Sequence, residues 1–518
     1  MHTLSSLLLF LLAAAPSFSR PLDPSSSILP DEDPVPILFL PPSIVKSGSS
    51  MGPLFITGPT PANHYHQQGS PPPTSASSPT QQTTLTVVQQ ATETVHVVAA
   101  TQFMTVTVTI QAPRPSSAPH PDSDNAASSN AEMKPFVATY FPDWTGDEFP
   151  PEKVDFKRFA WIDFAFAVPD ENRQLTFTSD SSEDLLSRLV KSAHAHGSRV
   201  KLSIGGWTGS RYFSSAVSTD ANRRELVNNT IRMYKKFNLD GIDIDWEYPG
   251  VQGAGNNQVS PQESTHFLTF LQLLRSQLPE SAKLTAATQV TPFAGPDGRP
   301  LANVSEFAKV LDWILIMNYD IWGASPTPGP NAPLRDGCHN STQPDASASA
   351  SVAAWTAAGF PPHQITLGLP SYGYVQTSNE RKLIQRSRTT ELGNLHVRRA
   401  DGATGTGSVR VKGEGEGDDS GQVQFKQLVK TGALKLNSDG NYVGAGGFNR
   451  LWDVCSSTPY LVSQNAKQVV AYDDPQSLGM KAAFARGAGL RGVNMFDVHG
   501  DTENWTLTDA IREGLGLA

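Results

Sequence analysis

The stretch Leu-Asp-Gly-Ile-Asp-Ile-Asp-Trp-Glu-Tyr-Pro at residues 239–249 carries three acids at alternate positions. Asp243, Asp245 and Glu247 are each separated by a single apolar residue. Side chains of a β-strand alternate between its two faces, so the three carboxyl groups share one face, with about 7 Å between successive acids. Burying carboxylates without partners is unfavourable. Three acids in a row on one face therefore indicate a functional site.

We interpret these three acids as groups that transfer protons. Like charges this close together cannot all ionise at neutral pH, so at least one pKa should rise. Glu247 ends the row, nearest the mouth of whatever the strand lines, and we interpret it as the proton donor. Two alternatives stay open. The first is a metal site, because carboxylate oxygens in this spacing suit Mg²⁺ or Ca²⁺. The second is an edge strand whose inward charges protect it from aggregation.

Charge and cysteine content narrow the class of protein. The chain has 518 residues and a formal net charge of −9, which argues against nucleic acid or an anionic membrane as partner. Its two cysteines exclude a disulfide-dense module and a cysteine-based zinc site. Cys338 and Cys455 form either one disulfide or two free buried thiols. We expect a monomer.

The N-terminal part differs in composition from the remainder. Residues 1–19 hold a nine-residue apolar run followed by small residues, which predicts a secretory signal peptide. We therefore expect an extracellular protein, with attachment to a cell wall as one option, and no membrane span. Residues 20–133 are of low complexity and rich in Ser, Thr and Pro, which predicts a disordered, O-glycosylated stalk. Within it, the Thr- and Val-rich residues 83–110 are compatible with a strand, an adhesive segment or a glycosylated tract.

From residue 134 onward, short apolar runs alternate with helical patterns. Eight runs are candidate strands: 136–141, 161–168, 200–204, 241–247, 284–289, 313–319, 365–369 and 492–496. Eight such units over residues 134–518 predict a (β/α)₈ TIM barrel. A doubly wound open sheet is the alternative, but no Gly-x-Gly-x-x-Gly turn follows the first strand. A Gly-rich insertion near 375–440 is expected to be flexible and not a compact domain.

Aromatic and polar residues follow several of these strands, where active sites of the barrel fold lie. Aromatic faces stack on sugar rings, and short polar side chains bind hydroxyl and amide groups. No metal cluster or cofactor motif is evident. The candidate substrate-binding residues are Tyr140, Ser203, Gly205, Gly206, Trp207, Tyr248, Met317, Asp320 and Phe496.

Three motifs resemble those of glycoside hydrolase family 18, the chitinases and their relatives. Asp240-Gly-Ile-Asp-Ile-Asp-Trp-Glu247 resembles the family's Asp-x-x-Asp-x-Asp-x-Glu signature. Lys201-Leu-Ser-Ile-Gly-Gly206 and Met317-Asn-Tyr-Asp320 resemble two further segments of the family, in the family's order. The resemblance covers about residues 134–518 and is strongest to fungal secreted chitinases.

The resemblance implies a retaining, substrate-assisted hydrolysis, which differs from the carboxylate-nucleophile route of most retaining glycosidases. Glu247 would protonate the glycosidic oxygen and later act as base for water. Asp245 would orient the substrate's acetamido group, whose carbonyl attacks C1. Asp243 would share a proton with Asp245. Tyr319 would hold the acetamido oxygen, as the fourth catalytic residue.

Further implications concern the walls of the cleft. Tyr140 and Ser203 would hydrogen-bond Asp243. Phe496 stands where the family usually has Trp, so the aromatic floor is smaller and lacks an N–H. The family's compact insertion before strand eight is expected to be absent, which implies a shallower cleft and internal cleavage of polymers.

The sequence thus predicts a secreted chitinase that hydrolyses β-1,4-linked N-acetylglucosamine polymers, with chitin or chitooligosaccharide as partner. An endo-β-N-acetylglucosaminidase acting on N-glycans shares the motif and the mechanism. A non-hydrolytic chitin-binding lectin on the same fold is a third reading, although such relatives typically lack the acid found here at Glu247.

Overall fold

A computed structural model describes residues 85–87, 93–99, 102–110, 134–323, 325, 327–384, 408–414 and 419–517. The predicted signal peptide at residues 1–19 lies outside these residues, as does most of the predicted stalk at 20–133.

The stalk region contains three described strands, Leu85–Val87, Glu93–Ala99 and Gln102–Ile110. They form one sheet in which Gln102–Ile110 pairs with both of the others. These strands belong to a unit separate from the chain that begins at residue 132. Of the three interpretations left open for residues 83–110, the strand matches this arrangement. O-glycosylation, and disorder elsewhere in the stalk, stay predictions.

Eight parallel strands form the closed barrel that the sequence predicts. They are β1 (Phe136–Pro142), β2 (Trp161–Pro169), β3 (Arg199–Gly205), β4 (Gly241–Asp245), β5 (Lys283–Thr288), β6 (Trp313–Ile316), β7 (Ile365–Pro370) and β8 (Gly492–Phe496). Each strand pairs with its neighbour in the sequence, and β1 pairs with both β2 and β8, which closes the sheet. Both faces of the sheet are covered, which is why β6 reads Trp-Ile-Leu-Ile and is buried at every position.

Helices surround the strands. They are α1 (Ser182–Ala195), α2 (Phe213–Val217), α3 (Asp220–Lys236), α4 (Glu263–Gln277), α5 (Ser305–Ala308), α6 (Ala348–Ala357), α7 (Phe425–Lys430), α8 (Pro475–Gly487) and α9 (Thr506–Leu515). Short 3₁₀ helices span Asp143–Thr145, Pro151–Lys153, Phe156–Arg158, Gly209–Tyr212, Pro362–Gln364 and Val498–Gly500. The first turn of helix α8 is capped: Asp474 accepts a hydrogen bond from the amide of Ser477, and Pro475 occupies the first turn. No helix in the described ranges is long and apolar enough to cross a membrane.

The chain between β7 and β8 corrects one expectation. We expected no compact insertion before β8, and the structure contains a five-stranded antiparallel sheet there. The flexibility expected near 375–440 stays a prediction. Its strands are Tyr372–Thr377, Gly421–Gln424, Asn449–Asp453, Thr458–Ser463 and Gln468–Ala471. The first strand pairs with the last, more than 90 residues away, and a local sequence pattern does not reveal such pairing. The part of the Gly-rich segment at 385–407 and 415–418 lies outside the described residues.

A disulfide joins this sheet to the barrel. Cys338, in the connection after β6, is bonded to Cys455, which lies between two strands of the inserted sheet. The amide of Gly337 donates to the carbonyl of Cys455 at 2.8 Å, and the amide of Leu334 donates to Ser456 at 2.9 Å. Of the two alternatives for the cysteines, the bridge is therefore the one observed.

Candidate active site

The acid row lies at the carboxyl end of β4, inside the barrel. Asp243 and Asp245 are 1% and 3% exposed. The strand ends at Asp245, two residues earlier than predicted, so Glu247 follows the strand and does not belong to it. Two side chains hold its backbone in place: Ser210 Oγ accepts from the amide of Glu247 at 2.8 Å, and Asn257 Nδ2 donates to its carbonyl at 3.1 Å.

Asp243 is surrounded by hydroxyl donors. Its Oδ2 accepts from Tyr140 at 3.1 Å and from Ser203 at 2.8 Å, the two residues that the family resemblance implies. Thr285 on β5 donates to Oδ1, and the sequence analysis missed it. Residues 243 and 285 are register partners of neighbouring strands. Thr285 could have been found from the sequence, because it is a polar residue at an inward position of the predicted strand 284–289.

Asp245 has fewer partners. Its Oδ1 is buried and accepts no hydrogen bond from the described part of the protein. Burial raises the pKa of Asp245 well above its ordinary value, and the charges of Glu247 and Asp243 raise it further. This carboxyl group therefore favours the protonated form.

Glu247 is partly exposed at the end of the row. Burial raises the pKa of Glu247 to about 7, a hydrogen bond from the Tyr248 hydroxyl lowers it, and the charge of Asp320 raises it. A carboxyl group with this pKa can donate a proton at mildly acidic pH and accept one back, as general acid–base chemistry requires.

Aromatic side chains surround the mouth above the acids. The Phe496 ring, at the end of β8, lies 5.2 Å from Tyr140, 6.1 Å from Tyr319 and 6.2 Å from Tyr372, measured between ring centroids. Met317 packs in the same cluster of side chains. Phe496 thus packs among aromatic side chains beside the acid row. Its contact with substrate stays a prediction.

The inserted sheet contributes to this pocket. The hydroxyls of Tyr372 and Tyr374 donate to Asp320 Oδ1 at 2.7 and 2.8 Å, which joins the sheet to the connection after β6. Burial raises the pKa of Asp320, whereas the two hydroxyls lower it. The expected shallow cleft without an insertion is therefore wrong, because the first strand of the insertion forms part of the wall.

The two glycines predicted to bind substrate have a structural task. Gly205 has a φ of 118°, and a Cβ there would lie 2.1 Å from the carbonyl oxygen of Asp245. Gly206 has a φ of 83°, and its Cβ would lie 2.9 Å from the ring of Phe166. Both conformations favour glycine. The close approach of β3 to the acid strand depends on Gly205, whereas Gly206 leaves room for Phe166 on β2. Contact of the two glycines with substrate stays a prediction.

Trp207 follows the glycines and is 51% exposed at the rim. Trp144, after β1, is 58% exposed and stacks on Phe166. Exposed tryptophans beside a pocket of this kind present flat faces to solvent, and such faces suit sugar rings.

Asp240, the first acid of the motif, does not belong to the row. Its Oδ2 lies 2.8 Å from His194 Nε2 and accepts from the amide of Val200 at 2.8 Å, at the opposite end of β4. Its role is to fix the chain that enters the strand.

A second polar layer lies below the row and was missed from the sequence. Lys201 Nζ is 3.2 Å from Asp163 Oδ1, and Asn494 Nδ2 donates to Asp163 Oδ2 at 2.7 Å. Lys201 and Ser203 are two residues apart on β3, so both side chains point into the barrel. This spacing could have revealed Lys201 from the sequence.

Carboxyl groups of raised pKa suit proton transfer. Within the described residues, no group of three or more His, Cys, Asp or Glu side chains is arranged to hold a metal ion. The site combines two carboxyl groups of raised pKa, Glu247 and Asp245, with an aromatic pocket. Together with the barrel, they define a protein of the glycoside hydrolase class.

Comparison with known proteins identifies the family. Residues 137–501 match the sequence family described as Glycosyl hydrolases family 18. The chain belongs to this family.

Relatives extend over most of the barrel. A protein of Moniliophthora roreri named "chitinase-like effector" is 36% identical over 386 residues, which cover 73% of this chain and 92% of that protein. Chitinase A1 of Niallia circulans is 28% identical over 61% of this chain and 42% of its own length. The crystal structure of a chitinase from Rhizomucor miehei superposes with a TM-score of 0.61 at 28% identity, covering 73% of this chain and 99% of that chain.

Proposed function

We propose that the protein is a secreted chitinase that hydrolyses β-1,4-linked N-acetylglucosamine polymers with retention of configuration. One observation carries the proposal: burial raises the pKa of Glu247 to about 7, and Glu247 lies next to Asp245 in the acid row, a buried acid with one oxygen that has no partner among the described residues. This pair suits a substrate whose N-acetyl group takes part in the reaction.

The first step is cleavage of the glycosidic bond. Glu247 donates its proton to the glycosidic oxygen, and the leaving sugar departs as an alcohol. The carbonyl oxygen of the substrate's acetamido group forms a bond to C1, which gives a cyclic oxazolinium ion. Asp245 Oδ1 accepts the acetamido N–H, which orients the acetamido carbonyl oxygen towards C1 and stabilises the oxazolinium ring through this hydrogen bond.

The second step returns the enzyme to its starting state. Glu247, now ionised, removes a proton from water, and the water oxygen attacks C1 as the oxazolinium ring opens. Two inversions at C1 give a product with the β configuration of the substrate. Tyr319 lies beside the acids and donates to the acetamido oxygen.

Secretion is part of the proposal. The predicted signal peptide and the disulfide between Cys338 and Cys455 fit an oxidising, extracellular compartment.

Chitin binding without hydrolysis is a second candidate. The relative from Moniliophthora roreri carries the name "chitinase-like effector". Phe496 also offers a smaller aromatic floor than tryptophan would. The complete acid row argues for hydrolysis, and the following experiment decides.

The test compares wild type with Glu247→Gln on a soluble N-acetylglucosamine hexamer, with EDTA present and product anomers followed by NMR. We expect a rate lower by about 10²- to 10⁴-fold in the variant, and the β-anomer first in wild type. Glu225→Gln is the matched control, because Glu225 lies on the outer helix α3, where it forms an ion pair with Arg173. A wild type that binds the hexamer without cleaving it would support the second candidate. A wild type that does neither, but releases N-glycans, would identify the endo-β-N-acetylglucosaminidase.

A further inference from the structure

Lys201 is a lysine inside the barrel, only 1% exposed. Its Nζ lies 3.2 Å from Asp163 Oδ1 and 3.8 Å from Asp243 Oδ1. In the described part of the chain, no other basic side chain is within ion-pair distance of these two acids. A buried ammonium group is very unfavourable unless it is paired, so the two carboxyl groups are its partners.

The surroundings accommodate this side chain specifically. Gly241, its register partner on β4, leaves room for it, since a Cβ there would lie 3.0 Å from Lys201 Cγ. The ammonium group also lies 4.7 Å from the centroid of the Trp313 ring, a favourable cation–π distance.

A hydroxyl links the lysine to the acid row. Lys201 Nζ donates to Thr285 Oγ1 at 2.6 Å, and Thr285 Oγ1 donates to Asp243 Oδ1. An ammonium group has donors only, so Thr285 must accept from the lysine and direct its own proton at Asp243. Tyr140 and Ser203 direct their protons at the other oxygen. Both oxygens of Asp243 are thus arranged to accept, and neither is arranged to carry a proton.

We propose that Lys201 is a positioning residue that holds Asp243 as a carboxylate, so that the proton shared by the acid row stays on Asp245. The inference rests on the proposed function, because Asp245 must be near neutral to approach the acetamido N–H without a second buried charge. Lys201 touches no reacting atom and acts through Asp243 and Thr285.

Several charged or titratable groups surround Asp243 and Asp245. These groups are Tyr140 on β1, Asp163 on β2, Lys201 on β3, Glu247 and Tyr248 after β4, and Tyr319 and Asp320 after β6. Lys201 is the cation among them. Asp163 opposes its effect on Asp243, since the two acids repel each other.

The first measurement is kcat/KM against pH for wild type, Lys201→Met and Asp163→Asn. Loss of the cation makes Asp243 easier to protonate, so the acidic limb of Lys201→Met should move up by about 1 to 3 pH units. Asp163→Asn removes a repelling charge and keeps the lysine, so its acidic limb should move down. Lys283→Met removes a lysine that pairs with Asp312 at the other end of the barrel, and should leave the limb unchanged. Limbs that coincide in wild type, Lys201→Met and Asp163→Asn would overturn the proposal.

The second measurement needs no activity and therefore separates this proposal from the proposed function. Thermal unfolding is followed at pH 4 and pH 8 for Asp163→Asn and for Asp163→Asn combined with Lys201→Met. If Lys201 holds Asp243, the double variant unfolds at a lower temperature than Asp163→Asn at pH 8, and the gap narrows at pH 4. If Lys201 serves Asp163 alone, the gap is the same at both pH values, and the proposal fails even if the enzyme is active. An inactive wild type would reject the proposed function and leave this comparison valid.

Discussion

Tyr374, on the first strand of the inserted sheet, donates a hydrogen bond to Asp320 of the barrel at 2.8 Å. Tyr372, on the same strand, donates to the same oxygen. The insertion therefore controls the orientation of an acid whose charge raises the pKa of Glu247. A segment that is distant in sequence from the acid row thereby becomes part of the site.

Tyr374→Phe should lower kcat/KM by about 3- to 10-fold, which corresponds to the loss of a hydrogen bond worth about 1 kcal/mol. Asp320 keeps Tyr372, so activity should not vanish. Tyr442→Phe is the control, because the Tyr442 hydroxyl contacts Thr506 on the outside of the barrel. Steady-state kinetics on the hexamer measure the effect. Equal rates for Tyr374→Phe and wild type would show that this hydrogen bond from the insertion does not contribute to activity.

The activity should have a basic limb near pH 7. Glu247 must hold its proton before it can donate it, and the pKa of Glu247 is raised to about 7. Above that pH, kcat/KM should fall about tenfold per pH unit. Rates measured from pH 5 to pH 9 check this, and a maximum above about pH 8 would contradict the role of Glu247.

Glu247→Gln should stabilise the folded protein at alkaline pH. The pKa of Glu247 is raised from 4.5 to about 7 on folding, so wild type loses stability as pH rises through this window, while the neutral glutamine does not. The gain should be about 1–3 kcal/mol at pH 8 and close to zero at pH 4.

Urea unfolding of both proteins at the two pH values measures the gain. Glu225→Gln, on the surface, should show no such pH dependence. A Glu247→Gln variant less stable than wild type at pH 8 would show that the folded protein does not disfavour the charge.

Cys455→Ser should lower the free energy of unfolding by about 2–5 kcal/mol, because the bridge to Cys338 closes a long loop with a sequence separation of 117. Cys338→Ser should give the same loss, and the double variant should lose no more than either single one. Denaturant unfolding with and without reductant measures this. Unequal losses would mean that packing of one side chain, and not the bond, supplies the stability.

Phe496→Trp should strengthen substrate binding and Phe496→Ala should weaken it, each by about 2- to 10-fold in KM, as expected for the gain or loss of aromatic contact area. The pKa of Glu247 depends on its own burial and on Tyr248 and Asp320, so the basic limb should stay near pH 7 in both variants. A KM unchanged by both substitutions would place the sugar away from Phe496.

Much of the fold was predictable because barrel strands are buried on both faces and appear as apolar runs. All eight runs became barrel strands. The inserted sheet was not predictable in the same way. Its strands are only four to six residues long, and its first strand pairs with its last across more than 90 residues, so neither periodicity nor spacing marks them.

The sequence by itself determined that Asp243 and Asp245 share one face, since side chains of a strand alternate between its faces. Glu247 follows the strand, and hydrogen bonds of its backbone with Ser210 and Asn257 hold it at the end of the row. Only the tertiary structure decided what surrounds each acid. Thr285 and Lys201 reach Asp243 because neighbouring strands of a closed barrel bring inward side chains together. The ionisation of a carboxyl group depends on burial and on charges within a few ångströms, and those distances exist only after the barrel has closed.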